Sequence, residues 1–545
     1  MWKVLVTEEM HEDGLRFLRE AGDVELINRP GIAGEELLKA VSDADALLTR
    51  SGTAVGEALL EHAPKLKAVA RAGVGVDNID LVAASKRGVV VINAPTGNTL
   101  SAAEHTMAMM LSLVRKVPQA YRSVSCGRWE RKRFMGCQLH GKKLLIIGLG
   151  RIGSQVASRA RSFGMDVFAF DPYVQASKAE RLGVTLVSDL GIALAEADII
   201  TLHLPLTAET RGMIEEELLG HFKRGSYLVN CARGGLVDEE AVAEALRKGH
   251  LAGAAFDVFS KEPPPLDHPL LSPDLADSVV LSPHIGANTY EAQSAVSVIA
   301  AKNLLASLRG EPCEHAVNLP FAEQLMDVAK RKYLTLARKV GQLAASLFGV
   351  PQKFRFTMLG SLFSEDSYGA FELPYRYAPY TVAALKGFLE ARHGSGVSYM
   401  YAPLLASEVG LSVEEVKGEA FTYKNLIGLA LEEKNETLEV LATVTEEGRQ
   451  RVVCIDGFWI DFVPEGRVLL FSNYDRPGVI GKVGTLLGKN GINIANFALG
   501  RKNGSGQAVG ALQVDNALPQ ELVQKLAQDA DLLWAKVVDF GEDLQ

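Results

Sequence analysis

The chain of 545 residues contains few cysteines and no hydrophobic run long enough to cross a membrane. Its five cysteines, at positions 126, 137, 231, 313 and 454, have neither the paired spacing of a disulfide framework nor a metal-ligand pattern. The longest apolar stretch, residues 107–114, predicts a buried helix. The first residues predict a strand rather than a signal peptide. We therefore expect a cytoplasmic protein that holds no metal.

Blocks of like charge and low-complexity tracts are also missing from the sequence. The formal net charge is −9, which disfavours nucleic acid as a partner. A chain of this length with 48% hydrophobic residues predicts three or four globular domains. The motifs that remain point to small-molecule ligands, with no nucleic acid and no membrane as partner.

The most specific motif is a glycine-rich turn between a predicted strand and a predicted helix. Residues 143–148 form a short apolar run typical of a buried parallel strand, and Gly148, Gly150 and Gly153 follow in GxGxxG spacing. The pyrophosphate of a dinucleotide would rest on the N-terminus of the following helix. A second apolar run ends at Asp171, whose carboxylate can accept bonds from ribose hydroxyls and would repel a 2′-phosphate. The motif predicts NAD rather than NADP.

Three further predicted strands lead into polar residues, namely Arg233, Asp257 and His284, and Glu262 lies shortly after the second of them. Because ligands bind outside the carboxyl ends of strands in an open α/β sheet, we expect these side chains on one rim. Oxidation of a 2-hydroxy acid needs an imidazole to take the hydroxyl proton, a carboxylate to orient that imidazole, and a guanidinium to hold the substrate carboxylate. Taken singly, each residue also fits a structural role.

Over residues 3–317 the sequence resembles the D-isomer-specific 2-hydroxyacid dehydrogenases. The resemblance rests on RAGVGVDN at 71–78, NAPTGNTLSAAEH at 93–105, WERKRFMG at 129–136 and the motifs above. It implies that Arg233, Glu262 and His284 are catalytic, with Asp257 near the nicotinamide amide. It also implies an NAD site lined by Val74, Gly148, Gly150, Arg151, Ile152, Gly153, Asp171, Cys231, Ala232, Arg233, Asp257, His284, Gly286 and Ala287.

Within that family, the sequence is most similar to long-form members that oxidise 3-phospho-D-glycerate, the first step of serine biosynthesis. The resemblance implies a carboxylate and phosphate pocket formed by Arg50, Arg71, Gly75, Asn98, Arg131 and Lys132. Residues 131–133 also fit a solvated basic turn. Two alternative functions remain open: another D-2-hydroxyacid dehydrogenase, acting on hydroxypyruvate or 2-oxoglutarate, and an NAD-sensing binding protein.

We predict an α/β fold with four domains. A flavodoxin-like substrate domain covers residues 1–97 and 286–317, and a Rossmann NAD domain is inserted over 98–285. An α+β intervening domain with a regulatory or oligomerisation role follows over 318–460. Within it we expect helices at 321–348 and 383–392, a helix-prone segment at 412–417, and paired strands at 437–444 and 450–458.

Residues 467–545 predict a βαββαβ unit that resembles the small-molecule-binding ACT domain. The turn at Pro477 and Gly478 would expose backbone N–H groups to the carboxylate of an amino acid. The resemblance implies L-serine as an effector held by Asn473 and Asp475, with Asn493 contributed by a partner subunit. A purely structural dimerisation domain is the alternative. Contacts between such domains would produce a homotetramer or a homodimer.

Overall fold

The computed structural model describes residues 1–541 apart from 322–325, 364–376, 395, 435, 503 and 529–530. Its strands form three sheets of five, seven and ten strands, and the first two contain only parallel pairs. The predicted α/β fold is confirmed. Within the described residues, no helix is both long enough and apolar enough to cross a membrane.

The first sheet has the strand order 2-1-3-4-5, which is the flavodoxin-like order. Apolar runs at residues 4–6, 46–49, 69–71 and 89–92 predict four of its strands. They do not predict β2, whose residues are only partly buried at the sheet edge and show no apolar run. The elements are β1 (Trp2–Val6), α1 (Glu12–Glu20), β2 (Val24–Asn28), α2 (Gly34–Val41), β3 (Ala46–Thr49), α3 (Glu57–Glu61), β4 (Ala68–Arg71), α4 (Leu81–Lys86) and β5 (Val90–Ile92).

Two helices, α5 (Thr99–Arg115) and α6 (Val117–Ser125), lead into the second sheet, whose order is 12-11-10-9-6-7-8. The strand order reverses between β6 and β9, where an open α/β sheet forms its ligand crevice. The elements are β6 (Lys143–Ile147), α7 (Arg151–Ser162), β7 (Asp166–Phe170), α8 (Ala176–Leu182), β8 (Thr185–Leu186), α9 (Leu190–Glu196), β9 (Ile199–Leu202), α10 (Glu216–Gly220), β10 (Ser226–Asn230), α11 (Glu239–Arg247), β11 (Leu251–Phe256) and β12 (Val279–Leu281).

The helix α12 (Tyr290–Arg309) returns the chain to the first sheet and packs on α1. Ser294 Oγ donates to Asp13 Oδ2 at 2.6 Å, and the N–H of His11 donates to Ser297 Oγ at 3.2 Å. The following residues extend the first sheet through an antiparallel bridge between Ile92 and Ala316. The second sheet is therefore an insertion within the first unit, and the two rims face each other across a cleft.

The third sheet combines strands from the two remaining predicted units. Its first part contains α13 (Val328–Leu347), β13 (Lys353–Gly360), α14 (Pro379–His393), α15 (Ala402–Glu408), β14 (Ser412–Gly418), β15 (Asn425–Glu433), β16 (Glu436–Val444), β17 (Gln450–Ile455) and β18 (Phe458–Phe462). The first predicted helix begins at Val328, and residues 322–325 lie outside the described residues. The predicted strand pair is present as the antiparallel ladder of β16 and β17.

The prediction of a helix-prone segment at residues 412–417 is wrong. The segment forms the edge strand β14, which pairs in parallel with β13 over its whole length. Its glutamates and lysine favour a helix in isolation, but the backbone ladder and the ion pair between Arg355 and Glu414 (2.9 Å) require an extended chain. Tertiary context here overrides local propensity.

The last part of the chain forms the predicted βαββαβ unit. It contains β19 (Arg467–Tyr474), α16 (Val479–Lys489), β20 (Ile494–Arg501), β21 (Gln507–Val514), α17 (Gln520–Ala527) and β22 (Leu532–Asp539). The strand order 20-21-19-22 is antiparallel throughout. β20 also pairs with β18 at Trp459 and Arg501, so ten strands form one continuous sheet.

Helices α13 and α14 cross at two glycines. A Cβ atom on Gly341 would lie 2.0 Å from the carbonyl oxygen of Ala384, and one on Gly387 would lie 1.9 Å from that of Arg338. Such a separation is not possible between real atoms, so the backbones approach each other this closely only because both residues are glycine. The core of this unit is built around that crossing.

We expect Gly387→Ala to destabilise this unit by about 1–3 kcal/mol, because the added methyl group forces the two helices apart. Gly484→Ala is the matched control, since a Cβ on this helical glycine meets no atom within 4 Å. That change should be neutral or stabilising by about 0.4–1 kcal/mol. Differential scanning calorimetry of both variants measures the difference, and equal melting temperatures would contradict the crossing.

Candidate active site

Three parallel strands of the second sheet deliver the predicted polar residues to one rim. Each strand ends a few residues before its polar side chain: β10 ends at Asn230, β11 at Phe256 and β12 at Leu281. The apolar run before Arg233 predicts a strand that continues to this residue, but β10 ends three residues earlier. The intervening turn aims the side chain, because Asn230 Nδ2 donates to the carbonyl oxygen of Arg233 at 2.8 Å.

Glu262 and His284 form a hydrogen-bonded pair at this rim. His284 Nδ1 lies 2.7 Å from Glu262 Oε2, and the two side chains are 47% and 38% exposed. The other oxygen, Glu262 Oε1, accepts the N–H of Phe259 at 3.0 Å. A carboxylate facing Nδ1 keeps the proton on that nitrogen, so Nε2 is the atom that can accept a proton from a bound molecule.

His284 is held in an uncommon backbone conformation. Its φ angle is +54°, in the left-handed region that few non-glycine residues adopt, and its N–H donates to the carbonyl oxygen of Asp257 at 2.7 Å. Backbone strain of this kind persists only where the surroundings over-determine it, and it concentrates at functional sites.

Arg233 reaches from this rim to the first sheet. Its Nε lies 3.3 Å from Asp77 Oδ2, and its Nη1 donates to the carbonyl oxygen of Ala232 at 2.8 Å. A Cβ on Gly75 would lie 2.1 Å from Nη2 of Arg233, so a larger residue there would displace the guanidinium. Arg71 Nη1 donates to the carbonyl oxygen of Gly75. The structure thus brings Arg71, Gly75 and Arg233 together across the cleft.

Two of the predicted substrate residues bury polar atoms that have no hydrogen-bond partner among the described residues. These atoms are Nε of Arg71 and Oδ1 of Asn98. Burial, together with the nearby charge of Arg233, lowers the pKa of Arg71. Buried polar groups are almost always paired in native proteins, so these two atoms indicate a polar ligand in the cleft.

The glycine-rich turn has the geometry that a dinucleotide requires. Gly148 has φ +97°, and a Cβ on Gly153 would lie 2.1 Å from the carbonyl oxygen of Gly148. A Cβ on Gly150 would have no other atom within 4 Å. Gly150 is the N-cap of α7, and no side chain caps this end of the helix there. The first-turn N–H groups therefore face an open surface. Asp171 Oδ2 accepts the N–H of Leu149 at 2.8 Å, which holds the carboxylate beside the turn.

The other predicted NAD residues are held by hydrogen bonds or by apolar packing. Val74 is tied by Asn93, whose Nδ2 donates to its carbonyl oxygen at 2.7 Å, and Arg151 Nη1 donates to the carbonyl oxygen of Pro95 at 2.8 Å. Burial raises the pKa of the Cys231 thiol, so this cysteine stays protonated. Ile152 and Ala232 each pack against a hydrophobic core of the second sheet. The carbonyl oxygen of Ala287 accepts a hydrogen bond from Gln293 Nε2.

Asp257 is only 1% exposed, which the sequence did not predict. Its Oδ1 accepts Ser282 Oγ at 2.6 Å and the N–H of Ile285 at 2.9 Å, and its Oδ2 accepts the N–H of Gly286 at 2.8 Å. His105 Nε2 lies 3.2 Å from the same carboxylate. Burial raises the pKa of Asp257, but these hydrogen bonds lower it below its usual range. Asp257 therefore shapes the turn that carries His284.

Three parts of the chain match known protein families. Residues 107–286 match the D-isomer specific 2-hydroxyacid dehydrogenase, NAD binding domain; residues 369–456 match the D-3-phosphoglycerate dehydrogenase intervening domain; and residues 467–531 match the ACT domain. The chain is 40% identical to D-3-phosphoglycerate dehydrogenase of Methanocaldococcus jannaschii, over 97% of this chain and 98% of that protein. The chain belongs to the D-3-phosphoglycerate dehydrogenase family.

Further relatives support this membership. D-3-phosphoglycerate dehydrogenase of Bacillus subtilis is 41% identical over 99% of this chain and all of that protein. The crystal structure of D-lactate dehydrogenase from Aquifex aeolicus, complexed with NAD and lactic acid, is 31% identical with a TM-score of 0.51, covering 56% of this chain and 96% of that chain. The predicted enzyme class and the predicted NAD cofactor are confirmed.

In this family member, Arg131 and Lys132 do not join the other predicted substrate residues. They lie in an exposed 3-10 turn whose Arg133 forms an ion pair with Asp277. Asp277 precedes β12, whereas His284 follows it, so the basic turn lies at the opposite end of that strand. Trp129 and Met135, which flank the turn, are each 79% exposed.

The predicted effector residues lie at two ends of the ACT sheet. Asn473 pairs with Ala508 on β21, and Ala508 pairs with Arg501, the last residue of β20. Asn493 directly precedes Ile494, the first residue of β20, and so lies at the opposite end of that strand. Asp475 lies 3.0 Å from the Arg501 guanidinium. The buried Oδ1 of Asn473 has no partner among the described residues. Within one chain, Asn493 is therefore separated from the other two.

Arg50 lies in a loop that Glu8 holds, and the sequence contains no motif that indicates this role for Glu8. The Glu8 carboxylate accepts Thr49 Oγ1 at 2.9 Å and the N–H groups of Arg50, Gly52 and Thr53 at 2.9–3.0 Å. Burial raises the pKa of Glu8, but these four donors outweigh it and hold the pKa below its usual range. Because these N–H groups already donate to Glu8, the loop offers a ligand the Arg50 side chain rather than its amides.

We expect Glu8→Gln to weaken the fold by on the order of 1–3 kcal/mol at neutral pH, because an amide cannot accept four hydrogen bonds. A depressed folded-state pKa stabilises the fold above about pH 4.3, the ordinary glutamate value, and the contribution is lost as the pH falls through the lower folded value. The melting-temperature gap to wild type should thus shrink in acid. Exposed Glu9→Gln is the control, and a gap that is constant with pH would contradict this role.

Proposed function

We propose that this dehydrogenase oxidises 3-phospho-D-glycerate to 3-phosphohydroxypyruvate with NAD, the first step of serine biosynthesis, and that L-serine regulates it. The observation that carries the proposal is the hydrogen-bonded pair of Glu262 and His284 beside Arg233, in a chain about 40% identical to D-3-phosphoglycerate dehydrogenases over nearly its full length. The five cysteines are unpaired thiols, which supports a cytoplasmic location.

In this mechanism His284 Nε2 takes the proton of the C2 hydroxyl while Glu262 keeps the ring oriented through Nδ1. Arg233 binds the substrate carboxylate in place of Asp77, which now lies 3.3 Å from it. The bound nicotinamide supplies the acceptor of the C2 hydride. The residues that would hold the cofactor are the turn at Gly148, Gly150 and Gly153, with Asp171 on the ribose hydroxyls.

The substrate phosphate would lie against Arg50 and Arg71, with Asn98 at the start of α5. The unpaired buried atoms of Arg71 and Asn98 support this assignment. For Arg131 and Lys132 we propose a role in the pocket of a second copy of the chain. The exposed apolar side chains of Trp129 and Met135 beside them support an interface between copies. A homodimer or homotetramer would then complete the site.

We also propose the predicted division into a substrate domain (1–97 and 286–317), an NAD domain (98–285), an intervening domain (318–460) and an ACT domain (467–545). The separate first and second sheets and the return of α12 to the first sheet support the first two domains, and the βαββαβ order of the last elements supports the ACT domain. The intervening domain would serve regulation or assembly. Glu408 of this domain forms an ion pair with Lys86 of the substrate domain, at 2.6 Å.

The activity test follows NADH formation with 3-phosphoglycerate, and with glycerate, 2-hydroxyglutarate and lactate for comparison. We expect the highest kcat/KM for the phosphorylated acid. His284→Ala should lower kcat by roughly 10²–10⁴ because the proton acceptor is lost. His221→Ala is the control, since His221 is exposed and lies between α10 and the start of β10, at the opposite end of that strand from the rim. An unchanged rate in His284→Ala would reject the catalytic role, and a higher kcat/KM for another acid would reject the substrate.

The effector test repeats the assay in millimolar serine. We expect serine to suppress turnover in the wild type, and Asp475→Asn to abolish that inhibition while leaving the rate without serine unchanged, because the ammonium would lose its carboxylate. Asp461→Asn is the matched control, an exposed aspartate that is also paired with an arginine. Serine that leaves the wild-type rate unaffected would make the ACT domain structural or specific for another ligand.

A further inference from the structure

The turn that carries Glu262 is held by two carboxylates through consecutive backbone amides. The N–H of Phe259 donates to Glu262 Oε1 at 3.0 Å, and the N–H of the next residue, Ser260, donates to Glu239 Oε1 at 2.7 Å. Glu239 comes from a different element, because it is the first residue of α11. The catalytic carboxylate is thus bonded to the same short turn that a second, remote carboxylate fixes.

Glu239 is itself fixed by His268. The second oxygen, Glu239 Oε2, lies 2.9 Å from His268 Nε2, and His268 Nδ1 accepts the N–H of Leu270 at 3.3 Å. Because Nδ1 accepts a hydrogen bond, Nε2 carries the proton and donates to Glu239. Both residues are buried, at 9% and 7% exposure, and the N-terminus of α11 favours a negative charge at Glu239.

The same turn is also packed against the residue that follows Arg233. A Cβ on Gly234 would lie 1.9 Å from the carbonyl carbon of Phe259 and 2.3 Å from the N atom of Ser260. The Phe259 ring packs edge-on against His268, with ring centroids 5.5 Å apart. The turn is therefore bounded on this side by Gly234 and His268, and Glu239 holds it from the helix.

We infer that Glu239 and His268 form a positioning pair, which sets the orientation of Glu262 and, through it, of His284. The inference rests on the proposed function of the site. Neither residue belongs to the rim that faces the substrate, and both act through the Ser260 amide. The exposed catalytic pair needs such support, because Glu262 and His284 have little packing of their own.

The hydrogen-bond pattern makes glutamine a sharp test at position 239. Glutamate accepts from two donors, His268 Nε2 and Ser260 N, whereas a glutamine amide has one accepting oxygen and one NH₂ group. In either orientation of the amide, the NH₂ group would therefore face one of these two donors. His268 cannot relieve the conflict by changing tautomer, since its Nδ1 must keep accepting from Leu270.

We expect Glu239→Gln to lower kcat by roughly 10- to 100-fold, because misplacement of a catalytic group by about 1 Å has an effect of this size. The dissociation constant for NAD should stay the same, since the glycine-rich turn and Asp171 are untouched. The deuterium isotope effect on kcat, with substrate labelled at C2, should rise as the chemical step becomes slower. Glu240→Gln is the matched control, an exposed glutamate on the same helical turn.

A double-mutant cycle with Glu262→Gln separates positioning from general destabilisation. If Glu239 acts through Glu262, the double variant should be no slower than Glu262→Gln alone. Effects that multiply, or a Glu239→Gln enzyme with wild-type kcat, would overturn the inference. Should Glu239→Gln fail to fold, His268→Asn removes the imidazole that donates to Glu239 Oε2 and should produce the same non-additive loss with Glu262→Gln.

The cycle uses whichever 2-hydroxy acid the wild type oxidises fastest. A wrong substrate assignment then appears in the wild-type rates, whereas a wrong positioning pair appears only in the comparison of variants. The two failures are thereby distinguishable.

Discussion

Helices cover both faces of the two parallel sheets, so polar side chains can gather only where the strands end. This constraint accounts for the placement of every chemical group in the dehydrogenase half of the chain. β10, β11 and β12 lead to Arg233, Glu262 and His284 at one rim, and β3 and β4 lead to Arg50 and Arg71 at the other. Helix α12 carries the chain back to the first sheet, so the two rims face each other across one cleft.

Buried carboxylates organise both rims, and this role is separate from catalysis. Glu8 gathers the loop of Arg50, Asp257 shapes the turn before His284, and Glu239 holds the turn of Glu262. In each case the carboxylate accepts at least one backbone N–H of a loop or turn and a second donor, and a charged acceptor makes these hydrogen bonds strong. The reacting side chains themselves are half exposed, as a substrate requires, and so depend on this buried support.

The regulatory half follows a different principle, because its sheet is mostly antiparallel and continuous from the intervening unit into the ACT unit. The crossing at Gly341 and Gly387 lets α13 and α14 cover one face. Asn473 and Asp475 lie at one end of the ACT strands and Asn493 at the other, so a ligand that touches all three needs two copies of the chain. The proposed effector residues and the exposed basic turn at 131–133 are thus both separated, within one chain, from the residues with which they are predicted to act.

Sequence by itself determined the sheet classes and the NAD motif, and it predicted that Arg233, Asp257 and His284 follow strands on one rim, because strand periodicity and the glycine spacing are local properties. It was wrong about β14, where pairing with β13 overrides helix propensity, and it omitted the edge strand β2. Only the tertiary structure revealed Glu8, His105, Glu239 and His268, and showed that Arg131 and Lys132 lie away from the rim of their own chain. Hydrogen bonds between residues far apart in sequence depend on which turns meet, and no local pattern records that.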